Sequence, residues 1–258
     1  MAIVAIAFAA QGTAQAAVQV SAEISAVTFT LIDLDLNDGI QPALNFVSAT
    51  SHSEAQVSTD AYAIEFADGF YKATSALAGD ALSSAAALTG SEGAYASVQL
   101  AGSTSLGVSK NGFGSGMFSG SFELTPWTAL IVTSVFTGSA STSIGYDGTF
   151  SEFASASGTL SLTIHHGTDS YESHSAQMNG FAGFSWDGIK YTGETSDVTG
   201  ELRLPYANLS SETVVGDYFA EAAAGAVSSI SAVPEPGTYG MLLAGLVGIG
   251  AVVRNRRG

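Results

Sequence analysis

Period-two alternation is the feature that most limits what this chain can fold into. Val18, Val20, Ala22 and Ile24 are separated by Gln19, Ser21 and Glu23; Val27, Phe29 and Leu31 by Thr28 and Thr30; Tyr62, Ile64 and Phe66 by Ala63 and Glu65; Leu160, Leu162 and Ile164 by Ser161 and Thr163. Successive side chains of a strand point to opposite faces, so this pattern buries one face and wets the other. Residues 117–124 read as a strand stopped by Pro126. Residues 127–136, with Leu130, Ile131, Val132 and Val135, read as a buried strand, and 198–204 as a further one. Residues 213–230 hold one long or two short segments. Many strands broken by Gly and Asx predict an all-β chain: a single β-sandwich domain of jelly-roll type.

One stretch departs from the pattern. Ala73, Ala76, Leu77, Ala81, Leu82 and Ala85 partly fit helical spacing, and alanine favours helix, so 72–88 is expected to be a short helix or a mobile loop. Asn111-Gly112, with Gly114 and Gly116 close by, predicts a turn ahead of the 117–124 strand. Asp187-Gly188, between Phe184-Ser185-Trp186 and Ile189-Lys190-Tyr191, is the clearest hairpin signal.

Charge is sparse and one-sided: 7 cations stand against 23 acids, for a net −16. Three of the cations are Arg254, Arg256 and Arg257 at the very end, which leaves only Lys72, Lys110, Lys190 and Arg203 in the body. Nucleic-acid binding needs cationic phosphate contacts, and this body lacks them. Adsorption to anionic lipid or acidic polysaccharide is disfavoured too, unless divalent cations bridge. Such charge keeps a Ser/Thr/Gly-rich surface soluble. The chain has 0 cysteines, which excludes disulfides, thiolate metal sites and cysteine nucleophiles.

Both ends read as export signals. Residues 2–10 are a short apolar run, and Ala14-Gln15-Ala16 fits the small-x-small cleavage rule, so 1–16 are expected to be a signal peptide and Ala17 the mature terminus. No Lys or Arg precedes the run, which places the expected true start upstream of Met1. Residues 17–232 form the expected sandwich body. Residues 233–258 form a tail: Pro234-Glu235-Pro236, an uncharged apolar stretch over 239–253, then the three arginines. As a helix that stretch spans roughly 20–25 Å, enough for a slightly thinned bilayer. The arginines predict a cytoplasmic C-terminus.

The order of that tail resembles the PEP-CTERM sorting signal of Gram-negative bacteria. The resemblance implies a partner, a membrane enzyme of the exosortase type that cleaves near Pro234, Glu235 and Pro236. It also implies a transient stay in the inner membrane, then the cell surface or an exopolysaccharide or biofilm matrix. Within the body, 31–42, 121–128 and 204–210 look like segments of exported PEP-CTERM proteins, and these bring no assigned activity.

The chemistry-bearing residues each have a plain alternative. Asp33, Asp35 and Asn37 present oxygen ligands at alternate positions, as a calcium loop does. The EF-hand pattern fails at Asp38, where Gly belongs, and at Leu44, where Glu belongs. A looser calcium site is one reading; local hydrogen bonds at a strand-to-turn junction are the other. His165, His166 and His174 cluster in sequence, but adjacent strand residues face opposite ways, which favours a strand end over a metal site. No Gly-x-Ser-x-Gly elbow exists, and Gly114-Ser115-Gly116 lacks the spacing. The expectation is no enzyme and no cofactor beyond that calcium. Trp186 and Tyr191, beside the Asp187-Gly188 turn, are candidates for a sugar-stacking platform, with Trp127 as a further aromatic; core packing is the alternative. Asn208-Leu209-Ser210 fits a glycosylation sequon. The leading function is a non-catalytic surface or matrix protein. A carbohydrate-binding module comes second and a secreted hydrolase third.

Overall fold

The computed structural model describes residues 17–58, 62–70, 73–79, 83–90, 93–101, 109–143, 150–166 and 170–230. Among these there are strands and no helix. In chain order they are β1 (Ala17–Ser25), β2 (Thr28–Asp33), β3 (Leu44–Ser58), β4 (Tyr62–Phe70), β5 (Thr74–Gly79), β6 (Ser83–Gly90), β7 (Gly93–Ala101), β8 (Ser109–Leu124), β9 (Thr128–Thr142), β10 (Phe150–His165), β11 (Tyr171–Ala182), β12 (Phe184–Trp186), β13 (Tyr191–Gly193), β14 (Thr195–Asn208) and β15 (Val214–Ile230).

Two antiparallel sheets result. The first has the order β14-β9-β1-β7-β6-β5, with β2 also on β9; the second runs β11-β10-β15-β8-β3-β4. β1 and β2 share one edge of β9 and act as one long strand with a break. Ile24 pairs with Phe136 and Thr28 with Thr133, so one extra residue is absorbed at 25–27, as in a β-bulge. The Ser25 side chain repairs the ladder there, accepting the Val135 amide at 2.9 Å.

The sheets face each other strand over strand. β5 lies against β3 and β4, β6 against β3 and β8, β7 against β8 and β15, β9 against β10, and β14 against β11. The inward faces carry the expected alternation: Val18, Val20, Ala22 and Ile24 are all buried, as are Leu160, Leu162 and Ile164. Residues 213–230 form a single strand, β15, which contributes Ala220, Ala222, Ala224 and Ala226 to the core.

The core has two textures. Around β9, β10 and the end of β8 it is built from Phe122, Leu124, Leu130, Phe136, Leu160 and Leu162. Here the Phe136 ring lies over glycine: a Cβ on Gly158 would meet that ring at 2.2 Å. Around β5, β6 and the start of β7 the inward residues are Ala, Ser and Thr, with Val98 and Leu100 following at the far end of β7. There β8 presents Gly114 and Gly116 to bare backbone, and a Cβ would meet the Ala86 carbonyl at 2.8 Å or the Leu88 carbonyl at 2.7 Å. Three buried hydroxyls close this region, with Thr74 Oγ1 2.8 Å from Ser53 Oγ and 2.5 Å from Thr89 Oγ1. Each satisfies its neighbours, which removes the penalty of burying them.

Three expectations are corrected. The 72–88 stretch is neither helix nor loop where described; it contains β5 and most of β6, with Thr74, Ala76 and Ala78 inward on one and Ser83, Ala85, Ala87 and Thr89 on the other. Alanine's helix preference is a fraction of a kcal/mol per residue and yields to tertiary packing. Asn111-Gly112 is no turn but the interior of β8, where Gly112 faces Val98 and Leu100. In β4 the expected inward face is the outer one, with Phe66 62% exposed. β4 is an edge strand, and its register sets Phe66 opposite Glu54.

The two ends of the described chain meet. Ala17 N donates to Ser143 Oγ at 2.7 Å, Ser143 contacts Glu152, and β10 runs alongside β15 to its last residue, Ile230. Both β1 and β15 therefore have their outer termini at one end of the sandwich.

Candidate functional site

The described body offers three places where polar or aromatic side chains converge, besides the tail itself. Its far end, away from Ala17 and Ile230, gathers the three body segments singled out by resemblance. Leu34 N donates to Trp127 O at 2.8 Å, Trp127 N to Ser210 O at 3.3 Å, and Thr125 N to Ala43 O at 3.2 Å. Trp127 sits at φ 51°, a left-handed conformation unusual for a tryptophan, held by bonds to both its N–H and its carbonyl. Asn208, 1% exposed, pins the corner by donating to the carbonyls of Thr125 at 3.0 Å and Glu212 at 2.9 Å. That amide is spent on structure and buried, so the sequon is no glycan acceptor in this fold.

In the same corner lie Asp33, Asp35 and Asn37, and one carboxylate oxygen of each aspartate is engaged by a nearby backbone amide. Asp33 Oδ1 accepts Asp35 N at 3.0 Å, and Asp35 Oδ1 accepts Asn37 N at 3.0 Å. Asp38 Oδ1 accepts Ile40 N at 2.7 Å in the same way. These are local turns. Among the described residues no three His, Cys, Asp or Glu side chains are grouped as a metal ion requires.

The outer face of the second sheet carries a network that runs across four strands. Ser48 Oγ donates to Ser121 Oγ at 3.1 Å, Ser121 Oγ to Asp217 Oδ1 at 2.7 Å, and Asp217 Oδ2 lies 2.7 Å from His165 Nε2. A Ser, an Asp and a His are thus together, but the carboxylate stands in the middle. Nucleophilic catalysis needs the imidazole between the other two, to take the hydroxyl proton. Burial raises the Asp217 pKa, and the hydrogen bonds from Ser121 and His165 more than reverse it, leaving the carboxyl below its ordinary range. A depressed carboxylate is a poor base for a serine hydroxyl.

The other histidines also face carboxylates: His166 and His174 flank Glu172 at 3.6 and 2.8 Å, and His52 lies 2.5 Å from Asp68. His165 is therefore separated from His166 and His174 by its choice of partner. Ser115 is likewise occupied, donating to Glu221 Oε1 at 2.6 Å.

The third place is the hairpin β12–β13. Trp186 pairs with Tyr191, and Asp187 Oδ1 accepts the amides of Ile189 at 2.8 Å and Lys190 at 2.9 Å. Those two bonds hold the fully solvated Asp187 carboxyl below its ordinary pKa. Gly188, at φ 99°, supplies the left-handed residue the turn needs. Phe184, Trp186 and Tyr191 cluster there, with Trp186 56% exposed. The Trp186 and Tyr191 rings lie 4.8 Å apart at 55°, so they tilt onto each other and present no common plane.

Between the sheets, where β1 gives way to β2, lies an open cleft of about 500 Å³ lined by Val27, Phe29, Ala49, Phe118 and Tyr218 among others. Among the described residues that line it, the Tyr218 phenol is the one ionisable group.

The sequence missed the Ser121–Asp217–His165 network, whose members are far apart in the chain and polar at outward positions, as any soluble strand is. It also missed Glu152, 2% exposed. A signal existed: Glu152 occupies the inward register of Ala154 and Ala156, where an acid needs a reason.

The expected signal peptide, residues 1–16, lies outside the described residues. So do Pro234, Glu235 and Pro236, the apolar stretch 239–253, and Arg254, Arg256 and Arg257. No helix among the described residues is long and apolar enough to cross a membrane. No curated protein sequence matches the chain. Residues 232–257 do match a family model, that of the PEP-CTERM protein-sorting motif. The chain therefore carries a PEP-CTERM sorting signal, the recognition signal for exosortase processing, immediately after the last strand of its body.

Proposed function

We propose that the chain is an exported, non-catalytic β-sandwich protein that an exosortase-type enzyme processes at the inner membrane and delivers to the cell surface or the extracellular matrix. The sorting motif carries the reading, and its placement supports it: three residues, 231–233, separate Ile230 from Pro234. Extended, they reach about 10 Å. Residues 1–16 act as the leader that exports the chain, and cleavage after Ala16 leaves Ala17 as the first residue. The apolar helix 239–253 holds the substrate, and Arg254, Arg256 and Arg257 set its orientation. Pro234 and Pro236 keep the segment extended for the enzyme.

The non-catalytic reading is supported by the Ser121–Asp217–His165 wiring, in which the carboxylate and not the imidazole stands in the middle. At the candidate calcium residues Asp33, Asp35 and Asn37, the amides accepted by one oxygen of Asp33 and one of Asp35 support the local-turn reading. A second reading, contact with exopolysaccharide or another glycan, has one observation in its favour: the exposed aromatic cluster of Phe184, Trp186 and Tyr191.

Intact-mass spectrometry of the released protein tests the main reading. A product lacking the residues after the motif supports it, and a product retaining 237–258 overturns it. Pro234→Ala with Glu235→Ala is expected to leave insertion intact and to strand full-length protein in the inner membrane. For the glycan reading, Trp186→Ala must weaken retention on the matrix polysaccharide; unchanged retention removes it.

A further inference from the structure

The geometry points to a seat for the chain's own mature N-terminus, formed by Ser143 and the buried carboxylate of Glu152. This inference rests on the reading that export removes residues 1–16. Ala17 N donates to Ser143 Oγ at 2.7 Å. Ser143 in turn donates to Glu152 Oε2, through its amide at 2.9 Å and its hydroxyl at 3.4 Å. Glu152 is 2% exposed, on the inward register of β10, opposite Ser228 of β15. One residue thus connects the first strand of the mature body to a buried acid beside its last.

Before cleavage the Ala17 nitrogen is a neutral amide. Afterwards it is an α-ammonium, charged at neutral pH. The two hydrogen-bond legs place it within about 6 Å of the Glu152 carboxylate, where opposite charges stabilise one another. Burying a carboxylate is costly unless positive charge and hydrogen bonds accompany it. Lys110 stands in the same row, opposite Ser228, and donates to the Ala101 carbonyl at 3.2 Å, so its ammonium also serves this corner. Ala101 is the β7 residue paired with Ala17. Signal cleavage therefore adds a second cation to a corner that already holds one, and fastens β1 between β7 and β9. The cleaved body is more stable than the same body with its leader attached.

The test compares three forms of the chain, each running to Gly258 in the same detergent. One begins at Ala17 with a free amine, one begins at Ala17 with that amine acetylated, and one retains residues 1–16. Acetylation keeps the N–H donor and removes the charge. The free-amine form is expected to melt about 2–4 °C above the other two. That increment is expected to vanish in Glu152→Gln. Should this variant not fold, Ser143→Ala replaces it, since it leaves the carboxylate and removes the bridging hydroxyl; the increment must then shrink. Equal melting of the three forms, or an increment unchanged in these variants, overturns the inference. N-terminal sequencing of the exported protein separates this from the underlying reading. A terminus other than Ala17 overturns both, and an Ala17 terminus with equal melts overturns the seat alone.

Discussion

Glycine does opposite work in the two halves of this sandwich. Under β9 and β10 it makes room for a side chain: Gly138 and Gly158 lie beneath the Phe136 ring. Under β6 and β7 it makes room for backbone: Gly114 and Gly116 on β8 face the carbonyls of Ala86, Leu88 and Tyr95. The first half fills its core with large residues; the second, outside Val98 and Leu100, brings its sheets together over Ala, Ser and Thr. Both satisfy close packing. They differ in what yields when an atom is added or removed.

The largest test removes the ring. Phe136→Ala is expected to cost about 3–5 kcal/mol by urea denaturation, because the glycines around it give the surroundings little to collapse with. A cost near 1 kcal/mol would mean the halves are mechanically alike.

Adding a methyl group separates them more sharply. Gly116→Ala and Gly158→Ala should each cost about 1–3 kcal/mol, as overpacking does. In a Phe136→Leu background the Gly158→Ala penalty should largely disappear, since the obstructing atoms belong to a ring. No side-chain truncation should relieve Gly116→Ala, whose close contacts at 2.7 and 2.9 Å are backbone oxygens. Equal rescue of both would break the comparison.

A smaller effect belongs to the thin half alone. Thr74→Val removes a hydroxyl that stands 2.5 Å from Thr89 Oγ1 and 2.8 Å from Ser53 Oγ, and should cost about 1–2 kcal/mol. Double substitution of Thr74 and Thr89 by Val should cost less than the two single changes together, because the second change removes a group the first had left unpaired.

These contrasts also explain what was legible in the sequence. Residues 17–24 and 160–164 announce their strands, because large apolar side chains alternate with polar ones. Residues 74–79 and 83–90 do not, because Ala, Ser and Thr fill the inner face while the large residues Leu77 and Leu88 stand on the outer one. What makes them strands is the closeness of the opposing sheet, a long-range fact that no local window carries. The turn at Asp187-Gly188 was readable from the left-handed residue it needs. Asn111-Gly112 gave the same signal and was misleading, for there the glycine answers to Val98 and Leu100 rather than to a turn. At the candidate sites, the choice between calcium loop and local turns at Asp33 and Asp35 was visible as a choice. The structure adds that one oxygen of each aspartate accepts the amide two residues on. The sorting motif needed no fold at all, because an address is read as sequence.

The smallest expected effect lies on the outer face. Asp217 has its folded pKa held down by Ser121 and His165 against the opposing effect of burial. A depressed carboxylate stabilises the fold above its unfolded pKa, near 3.9, and loses that contribution as pH falls through the folded value. Asp217→Asn should therefore lower the urea midpoint modestly at pH 6 and make no difference well below pH 3. Its side chain is 48% exposed, so the effect should stay under about 1 kcal/mol. An Asp217→Asn penalty that persisted unchanged into acid would show that packing, not charge, is what the carboxyl contributes.

β15 has a further consequence, one of force. It is an interior strand, bonded along its length to β10 on one side and β8 on the other, and the sorting tail continues from its end. Tension applied beyond Ile230 and directed along the strand axis meets both ladders together. It loads both ladders in shear, many hydrogen bonds at once, instead of peeling them one by one. A pull on an edge strand such as β4 would unzip one ladder; a pull on β15 must shear two.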